Sequence, residues 1–222
     1  MHEIIKKLDS VKNKVSKLIT EKQLKTNPKI IVVSKTFSLN KIVPIIESGH
    51  LHFGENKLQE AEDKWTEVKK NNTEIKLHMI GKLQSNKVKK ALQIFDYIHS
   101  LDNAKLASKI FKYQNELNKK IKLFIQVNLG DEQQKSGILL ADLNNFYHYC
   151  TKELSLNVIG LMCLPPVGFE TYKYFEKLKL VSENLSLKDL SMGMSSDFEQ
   201  AVINGSTYLR LGTLILGERK SN

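Results

Sequence analysis

Arginine is nearly missing from this chain. Arg210 and Arg219 are the only two among 34 basic residues, which leaves 32 lysines. Arginine supplies the planar fork that reads guanine edges and clamps phosphates, whereas lysine is a hydrated point charge. The formal charge of +10 therefore reads first as a lysine-coated surface, not as a specific grip on nucleic acid. Cysteine is also scarce: Cys150 and Cys163 show no C-x-x-C spacing, so neither a zinc ribbon nor a disulfide framework is supported. No apolar run approaches the ~20 residues of a membrane-spanning helix. The opening Met1-His2-Glu3-Ile4-Ile5-Lys6-Lys7 lacks the apolar core of a secretion signal. A cytoplasmic, reduced protein without a membrane role is expected. Only four prolines are present and no Pro/Gly/Ser-rich linker divides the chain, so residues 1–222 read as one domain.

What is present is globular: 41% hydrophobic residues over 222 positions, enough for one large core. Ile4, Leu8, Val11, Val15 and Leu18 repeat at alternating steps of four and three. That spacing predicts an amphipathic helix over about residues 2–24, packed on the rest of the molecule. Asn27-Pro28 closes it, because proline restricts the residue before it. The run Ile30-Ile31-Val32-Val33 is β-branched without alternation, which suits a strand covered on both faces. The same theme recurs. Extended stretches are expected near 51–53, 75–80, 97–98, 121–127, 157–161, 187–190 and 207–211. Helices are expected over 40–49, 56–71, 85–93, 102–117, 140–150, 169–184 and 197–204. About eight strands alternating with helices, without a long insertion, predict an α/β fold of the (β/α)8 barrel type with an extra N-terminal helix. In such a barrel chemistry gathers in the loops after the strands.

Lys35 follows the first strand, in Val33-Ser34-Lys35-Thr36. An amine desolvated at a barrel mouth has a lowered pKa and suits Schiff-base chemistry, although one lysine of 32 falls at a strand end by chance as well. Phe53-Gly54-Glu55-Asn56 reads as a turn into a capped helix or as a site where the backbone comes close to a ligand. His78 lies inside an apolar strand, where a satisfied core histidine is the plainer reading. Gly81-Lys82 is no Walker loop, and Lys82, Lys87, Lys89 and Lys90 lack the interleaved aromatics of a single-strand platform. His50-x-His52 has no third ligand at a telling spacing, so no metal is expected. Ser196 and Glu199 have the spacing of a capping box, and the same helix start could receive an anion. Arg210 is placed in the last strand, where a guanidinium needs a partner, followed by Gly212 and Thr213.

Seven stretches resemble the YggS-type pyridoxal-phosphate homeostasis proteins, a family related to the barrel domain of alanine racemase. They are Val33-Ser34-Lys35-Thr36, Phe53-Gly54-Glu55-Asn56, residues 78–87, Lys135-Ser136-Gly137-Ile138, Gly160-Leu161-Met162, residues 190–197 and Arg210-Leu211-Gly212-Thr213. They run in the family's order across the chain. The resemblance implies pyridoxal 5′-phosphate at the mouth of a (β/α)8 barrel. Lys35 stands in the place of the Schiff-base lysine and Arg210 in that of the residue facing the pyridine nitrogen. Ser195, Ser196, Gly212 and Thr213 match phosphate-binding segments, and Asn56 and His78 match pocket-lining positions. Alanine racemase-like enzymes take a catalytic tyrosine from a further domain, for which a chain ending at Asn222 has no room. The resemblance thus implies cofactor binding and delivery, with apo-enzymes as recipients, in a monomer with little or no turnover. A weak amino-acid racemase and a lysine-rich binding module are the alternatives.

Overall fold

The computed structural model describes residues 2–130, 136–166 and 170–218. The helix α1 (Glu3–Glu21) comes first and buries Ile4, Leu8, Val11 and Val15, the predicted stripe. It lies against the last two helices of the chain, so a Leu8→Ala change would open a cavity there and cost about 2–5 kcal/mol.

The strands are β1 (Lys29–Val33), β2 (His52–Glu55), β3 (Lys76–Met79), β4 (Tyr97–Leu101) and β5 (Lys122–Asn128) in the first half. They continue as β6 (Ile138–Leu139), β7 (Val158–Met162), β8 (Asp189–Ser191) and β9 (Tyr208–Leu211). Between them stand α2 (Leu39–Glu47), α3 (Leu58–Asn71), α4 (Val88–Ile94), α5 (Ala104–Leu117), α6 (Leu140–His148), α7 (Thr171–Asn184) and α8 (Phe198–Ile203). The short α9 (Thr213–Leu216) follows β9. Every pairing among these strands is parallel, in the order β4-β3-β2-β1-β9-β8-β7-β5, and β4 pairs with β5 to close the ring. The result is an eight-stranded (β/α)8 barrel, as the alternation predicts. The two-residue β6 adds only to the end of β5.

Two cores hold it. The larger lies between strands and helices and includes Trp65, Phe95, Phe175 and Ile42, all fully buried. The smaller fills the barrel itself with Ile31, Tyr97, Phe124, Met162 and Tyr208. Successive side chains on a strand alternate between these two cores. The first and last strands are neighbours, with Ile31 opposite Arg210 and Val32 opposite Leu211. Closure therefore sets the segment after β1 beside the segment after β9.

Local departures from the sequence reading have local causes. The helix expected over 140–150 continues as a π-helical turn, Tyr149–Glu153. The helix expected over 85–93 opens as a 3-10 turn, Ser85–Lys87. The two-residue β6 and four-residue α9 are too short to leave a periodic signature. Phe169 and Lys135 fall outside the described residues, so the predicted start of α7 and part of the 135–138 stretch go without structural description. Among the described residues no helix is long and apolar enough to cross a membrane.

Candidate functional site at the barrel mouth

Lys35 is half-buried in the turn that leaves β1. The residue after it, Thr36, has φ of +69°, a left-handed conformation that a β-branched residue rarely adopts. Such strain persists only where the surroundings fix it, and here they do. The Thr36 N–H donates to the Glu60 carboxylate, and Lys64 Nζ bridges Glu60 Oε1 at 3.0 Å, Glu55 Oε1 at 2.9 Å and the Ser34 carbonyl at 2.8 Å. Glu55 Oε1 also accepts from Ser34 Oγ at 2.7 Å and Trp65 Nε1 at 2.9 Å. Both neighbours of Lys35 are thus tied to α3, and the amine's base is rigid.

The opposite rim comes from the ends of β8 and β9. Gly193 has φ of +91°, and a Cβ there would stand 2.5 Å from that of Ala201, so only glycine lets this loop pack. Asp197 stands at the N-cap position of α8 without a side-chain cap bond, its carboxylate accepting from the Met194 N–H at 2.6 Å instead, and the capping box is not formed. The helix begins one residue later than the Ser196–Glu199 spacing requires. Ser195 Oγ accepts from the Gly212 and Leu214 N–H groups at 3.3 and 3.4 Å, long contacts that leave those donors weakly engaged. Gly81, at the end of β3, is needed as well, because a Cβ would stand 2.4 Å from the Asn56 carbonyl oxygen.

Arg210 is 4% exposed. Its guanidinium donates to Ser191 Oγ at 2.6 Å and to the Cys163 carbonyl at 2.9 Å, and no carboxylate among the described residues forms an ion pair with it. Burial lowers its pKa from the ordinary value. The partner a guanidinium needs in this strand is supplied by neutral oxygens.

Lys35, Asn56, Ser195, Ser196, Arg210, Gly212 and Thr213 line one cavity of about 510 Å3 together with Val33, Ile80 and Leu164. Seven residues scattered over the chain are brought together. The Oδ1 of Asn56 is buried there without a hydrogen-bond partner. His78 is the exception. It lies in the barrel interior, fully buried, with its Nε2 2.9 Å from His52 Nδ1 and its Nδ1 2.9 Å from His99 Nε2. His99 Nδ1 in turn is 2.7 Å from Ser191 Oγ. Burial drives His78 and His99 well below the usual imidazole range and His52 to about 4.

Sequence reasoning assigns no site role to Glu55, Glu60 and Lys64, which brace Lys35, or to His52, His99 and Ser191. One signal could have found the latter three. Strand side chains alternate with period two: His99 shares the parity of barrel-filling Tyr97 on its own strand, Ser191 pairs with barrel-filling Tyr208, and His52 precedes the Phe53 that pairs with Val32 and so falls opposite Ile31. No trio of His, Cys, Asp or Glu among the described residues is placed to hold a metal, and His50 Nε2 donates to the His52 carbonyl at 3.0 Å. Both cysteines are buried, with thiol pKa values pushed up to about 12, which leaves them poor nucleophiles.

Comparison with known proteins agrees with this architecture. The family described as alanine racemase, N-terminal domain, matches residues 7–220. The pyridoxal phosphate homeostasis protein of Aquifex aeolicus is 36% identical over 201 residues, covering 86% of this chain and 87% of the relative. That of Escherichia coli K12 is 32% identical over 231 residues, covering 99% and 98%. Among solved structures, PipY of Synechococcus elongatus with PLP bound superposes with a TM-score of 0.84 at 34% identity, covering 97% of this chain and 100% of PipY. Alanine racemase of Clostridium difficile, at 15% identity and a TM-score of 0.69, covers 94% of this chain and 56% of the enzyme, and shares the fold. With its barrel closed between β4 and β5 and its sequence matched nearly end to end, the chain belongs to the pyridoxal phosphate homeostasis proteins of the alanine racemase N-terminal-domain family.

Proposed function

We propose that this chain binds pyridoxal 5′-phosphate at the barrel mouth, covalently through Lys35, and serves its homeostasis and delivery with little or no amino-acid turnover. One observation carries the reading: a single cavity gathers a braced amine, a buried guanidinium and a rim of hydroxyls and weakly engaged N–H groups. The curated relatives' shared name and the PLP bound by PipY support it.

The residues present fit that ligand. Asn56 lines the cavity, and its buried Oδ1 has no hydrogen-bond partner among the described residues, an acceptor that is costly unless something else supplies a donor. Ser195, Ser196, Gly212 and Thr213 would hold the phosphate through hydroxyls and backbone N–H groups, which receive anions well. Bound pyridoxal phosphate supplies an aldehyde that takes up an amine and a ring that draws electrons best when its nitrogen is protonated. Arg210 can only donate, and a guanidinium does not release its proton. Facing a ring nitrogen, it would keep that nitrogen unprotonated, so the protein's own chemistry favours holding over turnover. Lys35, set on a turn fixed by Glu60 and Lys64, needs little reorganisation to hold its ligand.

Incubation with pyridoxal phosphate followed by borohydride should fix a phosphopyridoxyl mass on Lys35. A Lys35→Ala protein should lose the visible absorption band. If the unaltered protein acquires neither, the binding proposal fails. Rapid α-proton exchange of amino acids into deuterated water would instead sink the low-turnover part. Transfer from the loaded protein to an apo-enzyme in the presence of a free-aldehyde trap would support direct delivery.

A further inference from the structure

The polar atoms inside the barrel form one continuous file. It runs from Arg210 to Ser191 at 2.6 Å, to His99 at 2.7 Å, to His78 at 2.9 Å and to His52 at 2.9 Å. Arg210 lines the mouth cavity, whereas His52 opens β2 at the opposite end, half-buried. Four strands besides β9 contribute one residue each.

We propose that Ser191, His99, His78 and His52 are a one-directional hydrogen-bond relay, its polarity dictated by Arg210, that positions the guanidinium at the mouth and ties it to the barrel floor.

The direction follows from donor counting. A guanidinium has no acceptor, so Arg210 must donate to Ser191 Oγ. The Ser191 hydroxyl carries one hydrogen, and among the described residues its other hydrogen-bond partner is Nδ1 of His99. If that nitrogen carried a proton too, the serine would receive two donors and its own hydrogen would be left without an acceptor in a residue with no exposed surface. Burying a donor unpaired costs its full desolvation. The serine therefore donates to a bare Nδ1, and a neutral His99 must carry its proton on Nε2. That proton points to Nδ1 of His78, which is thereby the bare nitrogen of its own ring. His78 then carries its proton on Nε2 and donates to Nδ1 of His52, whose proton is likewise on Nε2. All three tautomers are set from one end.

The rings cannot easily swing out of this file. His78 is stacked on Tyr97 with centroids 4.1 Å apart and an interplanar angle of 16°, and His99 on Phe124 at 4.3 Å and 19°. Burial, the charge of Arg210 on His99, and those of Lys29, Lys76 and Lys122 on His52 all favour the neutral imidazoles that the file requires. A protonated member would have two donors and no bare nitrogen, and the file would break at that point. These are positioning residues: none of the three imidazoles lines the mouth cavity.

The relay's polarity concerns the protein without ligand. Its value for orienting Arg210 toward a ring rests on the cofactor proposal. The two are separable by experiment. Nitrogen-15 spectra of the ligand-free protein labelled at histidine should show His52, His78 and His99 with bare Nδ1 and protonated Nε2. Arg210→Met removes the compulsory donor, so the Ser191 hydroxyl is free to turn and His99 and His78 should lose the pure tautomer. Arg210→Lys restores a donor and should restore it. Ser191→Ala, a smaller change that keeps the barrel filled, should scramble His99 in the same way if the methionine variant does not fold. A protonated Nδ1 on His99 or His78 in the unaltered protein would overturn the relay, as would tautomers indifferent to both variants.

With pyridoxal phosphate added, His99→Phe should shift the visible absorption maximum while leaving the Lys35 adduct mass intact. An unshifted band alongside the expected tautomers would remove the positioning role toward the ligand. Absence of any adduct would count against the cofactor reading and leave the tautomer result standing.

Discussion

The two ends of the barrel interior treat polar groups in opposite ways. Toward the floor, the ring nitrogens joining His52, His78 and His99 are matched to one another and to Ser191, and aromatic faces close over them. At the mouth, Asn56 Oδ1 is buried with no hydrogen-bond partner among the described residues, and Thr36 is held in a left-handed conformation. Native structures satisfy nearly all buried polar atoms, and backbone strain gathers at functional sites. The floor is closed by its own hydrogen bonds, whereas the mouth holds the unmatched acceptor and the strained turn.

The sharpest way to break this contrast is to attack the support beneath the mouth. Glu55 is fully buried and its ion pair with Lys64 is nearly so, at 8% lysine exposure. Glu55→Ala takes one of the two carboxylates from that ammonium and the shared acceptor from Ser34 Oγ and Trp65 Nε1, and should cost about 3 kcal/mol of unfolding free energy, read from the midpoint of a urea titration at unchanged slope. A loss below about 1 kcal/mol would show that the network braces nothing.

Acid should attack the floor next. The folded-state pKa of His50 and His52 is about 4, and His78 and His99 lie well below 6.5 as well. Each binds a proton more readily once unfolded. Their contribution is complete above pH 6.5 and is lost as pH falls from there toward 4. The slope is up to about 1.4 kcal/mol per pH unit for each fully buried histidine, and less for His52, whose partial exposure screens it. Urea titrations at pH 7 and pH 5 check this, and His99→Phe should flatten the decline.

At the mouth itself the effects on stability should be smaller and partly reversed in sign. Thr36→Asn replaces a β-branched residue at φ of +69° with one that tolerates that region, for a gain of about 1 kcal/mol in thermal or urea unfolding of the ligand-free protein. Asn56→Ala removes an unmatched acceptor, so ligand-free stability should move by less than about 0.5 kcal/mol. Affinity for pyridoxal phosphate should still drop roughly tenfold, the worth of one hydrogen bond of about 1.4 kcal/mol. A binding titration paired with the unfolding curve separates the two effects. Equal loss in both would make Asn56 an ordinary structural residue.

Much of the fold was legible because short apolar runs recur between helical stretches, and the β-branched Ile30-Ile31-Val32-Val33, buried along its length, is the plainest of them. The mouth was partly legible through Lys35 and Arg210, residue types conspicuous at strand ends. Their supports were not, since Glu60 and Lys64 look like any charged pair on a helix until α3 folds over the β1 turn. His52 read as half of a weak metal motif and His78 as an isolated core histidine. Their pairing needs three strands set side by side. Ser196 and Glu199 show the reverse failure, a local pattern set aside because the helix starts one residue later, with Asp197 at its N-cap position and bonded back to Met194.

By itself, then, the sequence determined the alternation of strand and helix, the parity of each strand and the identity of the few groups with chemistry to offer. Those are local properties, written in periods of two and 3.6 residues. Closure decided the rest. Bringing β1 against β9 set Lys35 near Arg210, pairing β3 with β2 and β4 aligned histidines 26 and 21 residues apart, and closing the ring brought Ser191 of β8 to His99. Distances across a ring depend on register and shear, and no local pattern in a chain carries them.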